Sequence, residues 1–171
     1  MGMIAASFDS PIGTLLLCSD GEYLTAVVFK GQKYADRHIP KDALIGSCPV
    51  LEETKVWLSR YFSGEKPENT PPLKPVGTDF QRRVWKTLLE IPYGKTLTYG
   101  DLAKALGCKS AQAVGGAVGR NPISILIPCH RVVGADGSLT GYAGGVERKE
   151  FLLRLESLLL EEKVSCRRQD G

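Results

Sequence analysis

The sequence predicts an α+β protein in two parts: a small sheet-containing lobe followed by a helical domain organised around a helix-turn-helix with a wing. Three observations predict it. Residues Ala5 to Phe29 show β-type patterning broken by a turn signal; residues 63–77 hold Pro67, Pro71, Pro72 and Pro75 with little apolar content; and from Thr78 onward helix-start signals follow one another closely. The boundaries that follow are a lobe over 1–77 with its linker at 63–77, a second domain over 78–160, and a flexible polar tail over 161–171. With 171 residues, 43% of them hydrophobic and 24% charged, the chain can bury a real core.

In chain order, Ile12–Leu17 reads as a strand, Ser19-Asp20-Gly21 as a turn and Leu24–Phe29 as the next strand. Leu51, Val56, Leu58, Tyr61 and Phe62 have helical spacing. Thr78-x-x-Gln81 is a capping box that opens a helix with an apolar face of Phe80, Val84, Trp85, Leu88 and Leu89, ended by Ile91-Pro92-Tyr93-Gly94. Thr98-x-x-Asp101 resembles a second box, with Leu102, Ala103 and Leu106 inside and Gly107 closing the helix. Ser110 caps a third helix that runs to about Gly119. Two short helices on so tight a turn match a helix-turn-helix, or equally a plain αα-hairpin.

The third helix offers little for reading bases. Its residues from Ala111 to Gly119 are Ala, Val and Gly apart from Gln112, and a Gly-Gly pair costs helix stability, about 1 kcal/mol for each glycine. Close approach of another backbone or of a duplex explains Gly115 and Gly116 better. The apolar run Ile123–Ile127 then reads as a buried strand that ends at Pro128-Cys129-His130-Arg131-Val132. A cysteine is a nucleophile only as thiolate, and a neighbouring imidazole or guanidinium lowers its pKa. Successive strand side chains face opposite ways, so a bend at Pro128 or a bridging water must couple Cys129 to His130. Gly134–Ser138 is a turn. The loop Gly141–Gly145 could close over a planar ligand, although its composition favours an ordinary wing turn. A final helix turns Phe151, Leu152, Leu155, Leu158 and Leu159 inward.

Charge is unevenly placed. Residues 1–78 carry eight Lys and Arg against nine Asp and Glu, and residues 79–160 carry eleven against seven, so a polyanionic partner would belong to the second part. The five cysteines are odd in number and widely spaced, as in a reducing compartment. With two histidines and no Cys-x-x-Cys, no segment has zinc-ligand spacing. Met1-Gly2 is followed at position six by Ala6, and there is no signal-peptide core or membrane-length apolar run, so a cytoplasmic protein is expected.

The ordered set Asn121-Pro122, Ile127-Pro128-Cys129-His130-Arg131-Val132, Gly141-Tyr142-x-Gly144-Gly145, Lys149, Leu152-Leu153 and Glu156, with Thr78–Gly94, closely resembles the O6-alkylguanine-DNA alkyltransferases. The likeness is strong over 78–157 and looser before it. It implies a ribonuclease H-like first lobe and a winged-helix-like second domain. The implied activity is irreversible, one-turnover transfer of an alkyl group from O6-alkylguanine, and O4-alkylthymine, to Cys129. The duplex would be met through its minor groove, with the target base flipped out. By the same resemblance His130 is the base, acting through a water, and Glu156 orients it. Asn121 bridges the third helix to the active-site strand, and Tyr99 assists flipping and protonates the departing guanine. Thr98, Ala111, Gln112, Ala113, Gly115 and Arg120 would meet DNA. Val118, Val132, Leu139, Tyr142, Ala143 and Gly144 would line the base pocket. Arg131 and Lys149 read as structural.

No cofactor is implied, since the lesion supplies the alkyl group, and the expected state is a monomer, with cooperativity on DNA left open. The family usually has arginine where this chain has Gln112, which lacks the charge and the flat stacking plane, so weaker DNA binding is expected. Three other readings compete: a lesion sensor, which in this family lacks the cysteine; a helix-turn-helix regulator, which the bare third helix disfavours; and a cysteine hydrolase, whose histidine generally comes from a distant segment.

Overall fold

The β-type patterning of the first lobe becomes a four-stranded sheet in the computed structural model, which describes residues 2–139 and 141–169, with side chains described as far as Ser157. β1 (Ile4–Ser10), β2 (Gly13–Ser19) and β3 (Leu24–Phe29) pair antiparallel in succession. After the one-turn α1 (Ala35–His38), β4 (Leu44–Ile45) adds parallel to β1, giving the order β3-β2-β1-β4. Gly13 makes the β1–β2 return possible: its φ of 124° is closed to ordinary side chains. Every residue of β3 is buried, so this strand lies inside the molecule and not at a wet edge.

α2 (Pro49–Phe62) starts with proline at its first turn, where the missing N–H costs nothing, and packs Val50, Leu51, Thr54, Trp57, Leu58 and Tyr61 inward. Val56 departs from expectation and is 53% exposed. At roughly 100° per residue, position 56 falls on the far side of the stripe formed by 51, 54, 58 and 61.

The proline-rich linker is ordered. The Leu24 N–H donates to the Pro72 carbonyl and the Lys74 N–H to the Leu24 carbonyl, each at 2.8 Å, so the linker runs as an extra rung beside β3. At its end Thr78 and Gln81 form the full reciprocal capping box, and α3 (Asp79–Leu88) buries Val84, Trp85 and Leu88. Leu89 is 47% exposed because the chain leaves the helix there.

β5 (Leu97–Thr98) leads into α4 (Tyr99–Ala105), capped by Thr98, and α5 (Ala111–Gly119), capped by Ser110. Between them Gly107 takes φ 67°. The Trp85 indole N–H donates to the Ala117 carbonyl at 2.8 Å and fixes α5 on α3. β6 (Val132–Val133) pairs parallel with β5.

The segment Ile123–Ile127 is not the buried strand its composition suggests. It is a buried loop with a single bridge, Ile123 to Val27 of β3, and Ile125 sits at φ 73°. Prolines at 122 and 128 and the side chain of Asn121 replace the ladder a strand would need.

α6 (Val146–Gln169) continues past Glu161, where a tail is expected; nothing from 146 to 169 is Gly or Pro, and Leu, Glu, Lys and Arg sustain a helix well. Leu158, Leu159 and Cys166 lie outside the described side chains. One core cluster contains Leu15, Val27 and Leu58 together with Trp85, Val118 and Leu152, so the two parts share a single interior.

Candidate active site

Cys129 opens a 3₁₀ turn, Cys129–Arg131, entered from Pro128 at φ −80°, ψ 65°. The chain thus bends at Pro128, one of the two ways expected to bring the adjacent Cys and His to one site. Asn121 builds the approach. Its Nδ2 donates to the carbonyls of Ile123 (3.3 Å) and Ile127 (2.9 Å), its Oδ1 accepts from the Ile123 N–H (3.0 Å), and its backbone N–H reaches Val118 of α5 at 3.3 Å. The same side chain lies close enough to Cys129 to pull the thiol's pKa down. Asn121 thus links the third helix and the loop beside the sulfur.

His130 is fully buried, and its Nε2–H donates to Glu156 Oε2 at 2.5 Å. That bond fixes the tautomer and leaves Nδ1 with the lone pair; among the described residues Nδ1 has no hydrogen-bond partner. Burial pushes the imidazole pKa down, against the pull of Glu156, so His130 rests neutral. Burial would raise Glu156, but the hydrogen bonds from His130 and Arg131 and the charge of the Arg131 guanidinium outweigh it and hold the carboxyl at about 2. Arg131 Nε donates to Glu156 Oε1 at 2.7 Å while Nη1 donates to the Ile91 carbonyl at 2.8 Å. Gly94 N–H and the Tyr61 hydroxyl complete the carboxylate's partners, at 3.1 and 2.6 Å.

The thiol itself differs from expectation. Burial raises the Cys129 pKa and outweighs the lowering by Asn121 and by the charge of Lys149. The resting sulfur is a protonated thiol, so a base must act when a substrate arrives. The nearby cation is Lys149, not Arg131, which is committed to Glu156. Lys149 is itself buried, its pKa drawn down to about 8 by desolvation against the opposing pull of Cys129, and its Nζ lies 5.7 Å from the centre of the Tyr99 ring. Tyr99 and Tyr142 sit close enough to Cys129 to feel its charge, and burial first, then that charge, raises both phenols. Gly141, at φ 80°, is required here: a Cβ would stand 2.7 Å from the Tyr99 Oη.

The remaining sequence-derived residues fall into two groups. Ala111, Gln112, Ala113 and Arg120 are exposed on α5 and its end, and Thr98 is the N-cap of α4. Gly115 lies against the Tyr99 ring, 3.8 Å from where a Cβ would be, and Gly116 faces only its own Arg120. No other backbone presses on this pair. Ala143, Gly144 and Leu139 are partly buried, Gly144 meeting the rings of Phe29 and Tyr142. Val118 and Val132 are core residues, 2% and 0% exposed, so they can support a pocket wall but present little surface.

Two residues stand closer to the site than the sequence reading placed them: Lys149, read as structural, and Tyr61, read only as part of a helical stripe. Lys149 had a signal: with Leu152 and Glu156 it follows i, i+3, i+7, placing two charged groups on the buried stripe of α6. Tyr61 had none, since 95 residues separate it from Glu156. Among the described residues no group of three or more His, Cys, Asp and Glu could hold a metal ion, and Cys18, Cys48, Cys108 and Cys129 are free thiols.

A buried turn that carries a cysteine, backed by a histidine and a fully satisfied carboxylate and flanked by a helix-turn-helix, defines a class: a thiol group-transfer site on a helix-turn-helix domain. Comparison with known proteins agrees with it. Residues 79–158 match the 6-O-methylguanine DNA methyltransferase, DNA binding domain, and residues 3–75 match the 6-O-methylguanine DNA methyltransferase, ribonuclease-like domain. A methylated-DNA–protein-cysteine methyltransferase of Methanosarcina acetivorans is 49% identical over 90% of this chain and 98% of the relative. One from Haemophilus influenzae is 48% identical over 88% and 84%. The crystal structure of Mycobacterium tuberculosis OGT in complex with DNA superposes with a TM-score of 0.83 at 43% identity, covering 91% of this chain and 94% of that one. The chain belongs to the 6-O-methylguanine DNA methyltransferase family.

Proposed function

We propose that this chain repairs alkylated DNA by moving an alkyl group from the O6 of guanine onto its own Cys129. Repair by alkyl transfer follows from the family and from relatives named methylated-DNA–protein-cysteine methyltransferases, and DNA is the partner, as in the related DNA complex. The observation that carries the assignment to Cys129 is its pairing, on one short turn, with a neutral histidine whose Nε2–H is held by Glu156.

In the reading we favour, α5 lies in the minor groove and the damaged base is turned out towards the loop 141–145. His130 Nδ1 takes the thiol proton through a water, and the charge of Lys149 favours the thiolate as it forms. The sulfur displaces guanine at the alkyl carbon: the S–C bond forms, the C–O6 bond breaks, and the electron pair leaves with the base. Tyr99, beside Cys129, donates the proton that neutralises guanine. The resulting thioether is not hydrolysed, so each molecule acts once, as a monomer. O4-alkylthymine fits the same chemistry.

A sensor that only binds lesions would not need a cysteine with this apparatus, and a sequence-reading regulator would need more base-contacting donors than Gln112 on α5. The test is stoichiometry on a duplex with one O6-methylguanine. Guanine restored should plateau at one per protein, and Cys129→Ser should keep lesion binding and restore none. Multiple turnovers, or repair by the serine variant, would contradict the assignment.

A further inference from the structure

The carboxylate behind His130 is held from both parts of the molecule. Glu156 Oε2 accepts two hydrogen bonds, from His130 Nε2 at 2.5 Å and from the Tyr61 hydroxyl at 2.6 Å, while Oε1 accepts from Arg131 Nε and the Gly94 N–H. Tyr61 belongs to α2 of the first lobe and is 1% exposed. An ionised carboxylate only accepts, so the phenol has one role open to it there, that of donor. Its ring is clamped: stacked on Trp57 at 5.5 Å and 8°, with Phe62 and Tyr93 edge-on at 5.3 and 6.4 Å. So much packing around one hydroxyl sets the donor direction and leaves the carboxylate a single orientation.

We propose that Tyr61 is a positioning residue for alkyl transfer, supplied by the first lobe, whose hydroxyl fixes Glu156 against His130 and tempers the carboxylate's hold on the imidazole. The inference rests on the reading of Cys129 and His130 as acceptor and base. Because Tyr61 and His130 share one oxygen, each bond draws on the same negative charge. Removing the phenol O–H concentrates that charge on the His130 bond, which favours imidazolium. A base must be neutral to take the thiol proton, so the acid limb of the reaction moves to higher pH. The other groups facing this pair are Arg131 on the same turn, Lys149 on α6 and Tyr93 after α3; all three remain in place when only the Tyr61 oxygen is removed.

The experiment is the single-turnover rate of methyl transfer from O6-methylguanine duplex between pH 5 and 9, with lesion affinity measured alongside. Tyr61→Phe should bind the lesion as the unaltered chain does and transfer roughly tenfold more slowly at neutral pH, with its acid limb raised by about half a pH unit or more. Tyr61→3,5-difluorotyrosine, a stronger donor of nearly the same size, should move the limb the opposite way. An acid limb unmoved in both variants would overturn the inference, even if the phenylalanine variant were slower or less stable. Absence of transfer by the unaltered chain, or transfer retained by Cys129→Ser, would overturn the underlying reading and the inference with it.

Discussion

At Cys129 burial wins at rest: the thiol stays protonated although Asn121, the charge of Lys149 and the backbone N–H groups of Cys129 and His130 all pull its pKa down. A protonated, enclosed thiol resists oxidation, so a molecule that reacts once is preserved until a lesion arrives. Lys149→Met removes the buried charge without leaving a cavity. Transfer at pH 7 should slow by about tenfold or more, because the forming thiolate loses a cation. The gap should narrow above pH 8, where Lys149 itself loses its proton, and single-turnover rates against pH would check this. Stability should have its own acid limb. Glu156 is depressed from 4.5 to about 2, so its contribution is present above pH 4.5 and is lost as pH falls towards 2. His130, depressed below 6.5 by burial, adds a cost in the same direction as pH drops. Urea midpoints between pH 7 and 3 should fall for the unaltered chain and fall less steeply for Glu156→Gln.

The elements most legible in the sequence were those whose signals are local. The capping box at Thr78 and the caps at Thr98 and Ser110 each involve residues three apart; the Thr78 box is complete, whereas Thr98, read as a second box, makes only the one-way cap to the Asp101 N–H. The loop 122–127 was not legible. Its apolar run matches a strand equally well, and what prevents one is the Asn121 clamp together with a positive φ at Ile125, neither of which periodicity reveals. α5 remains the element with unexplained sequence within the chain, since Gly116 has only ordinary room for a Cβ, 3.6 Å from Arg120. Gly116→Ala should therefore stabilise the protein, by up to ~1 kcal/mol in chemical denaturation. If a duplex lies on this face, the same change should weaken DNA binding; unchanged affinity would remove that explanation. Gln112→Arg should tighten binding to duplex in a titration, with the transfer rate at saturation unchanged.

Across the whole molecule the proline-rich linker does not separate two independent bodies, since residues before and after it share one core. β3 exchanges hydrogen bonds with the active-site loop, Val27 N–H to Pro122 at 2.9 Å and Ser124 N–H to Val27 at 2.8 Å, and Arg148 of α6 donates to the Ile12 carbonyl at 2.8 Å. Such contacts join positions about a hundred residues apart, beyond the reach of any local pattern. The first lobe also reaches the candidate site, where it supplies the Tyr61 hydroxyl to Glu156. A chain beginning near Pro75 would lose Val27, which bridges Ile123, and leave Glu156 short of the Tyr61 donor. It should fail to fold cooperatively and transfer no methyl group, as seen by circular dichroism and by repair of the lesion duplex.

The most direct measurement is the mass of each cysteine peptide after incubation with a duplex that contains one O6-methylguanine. A single added methyl on the Cys129 peptide, saturating at one per molecule, with Cys18, Cys48 and Cys108 unchanged, is the predicted result. Methyl on another cysteine, or none on any while the lesion is bound tightly, would contradict the account.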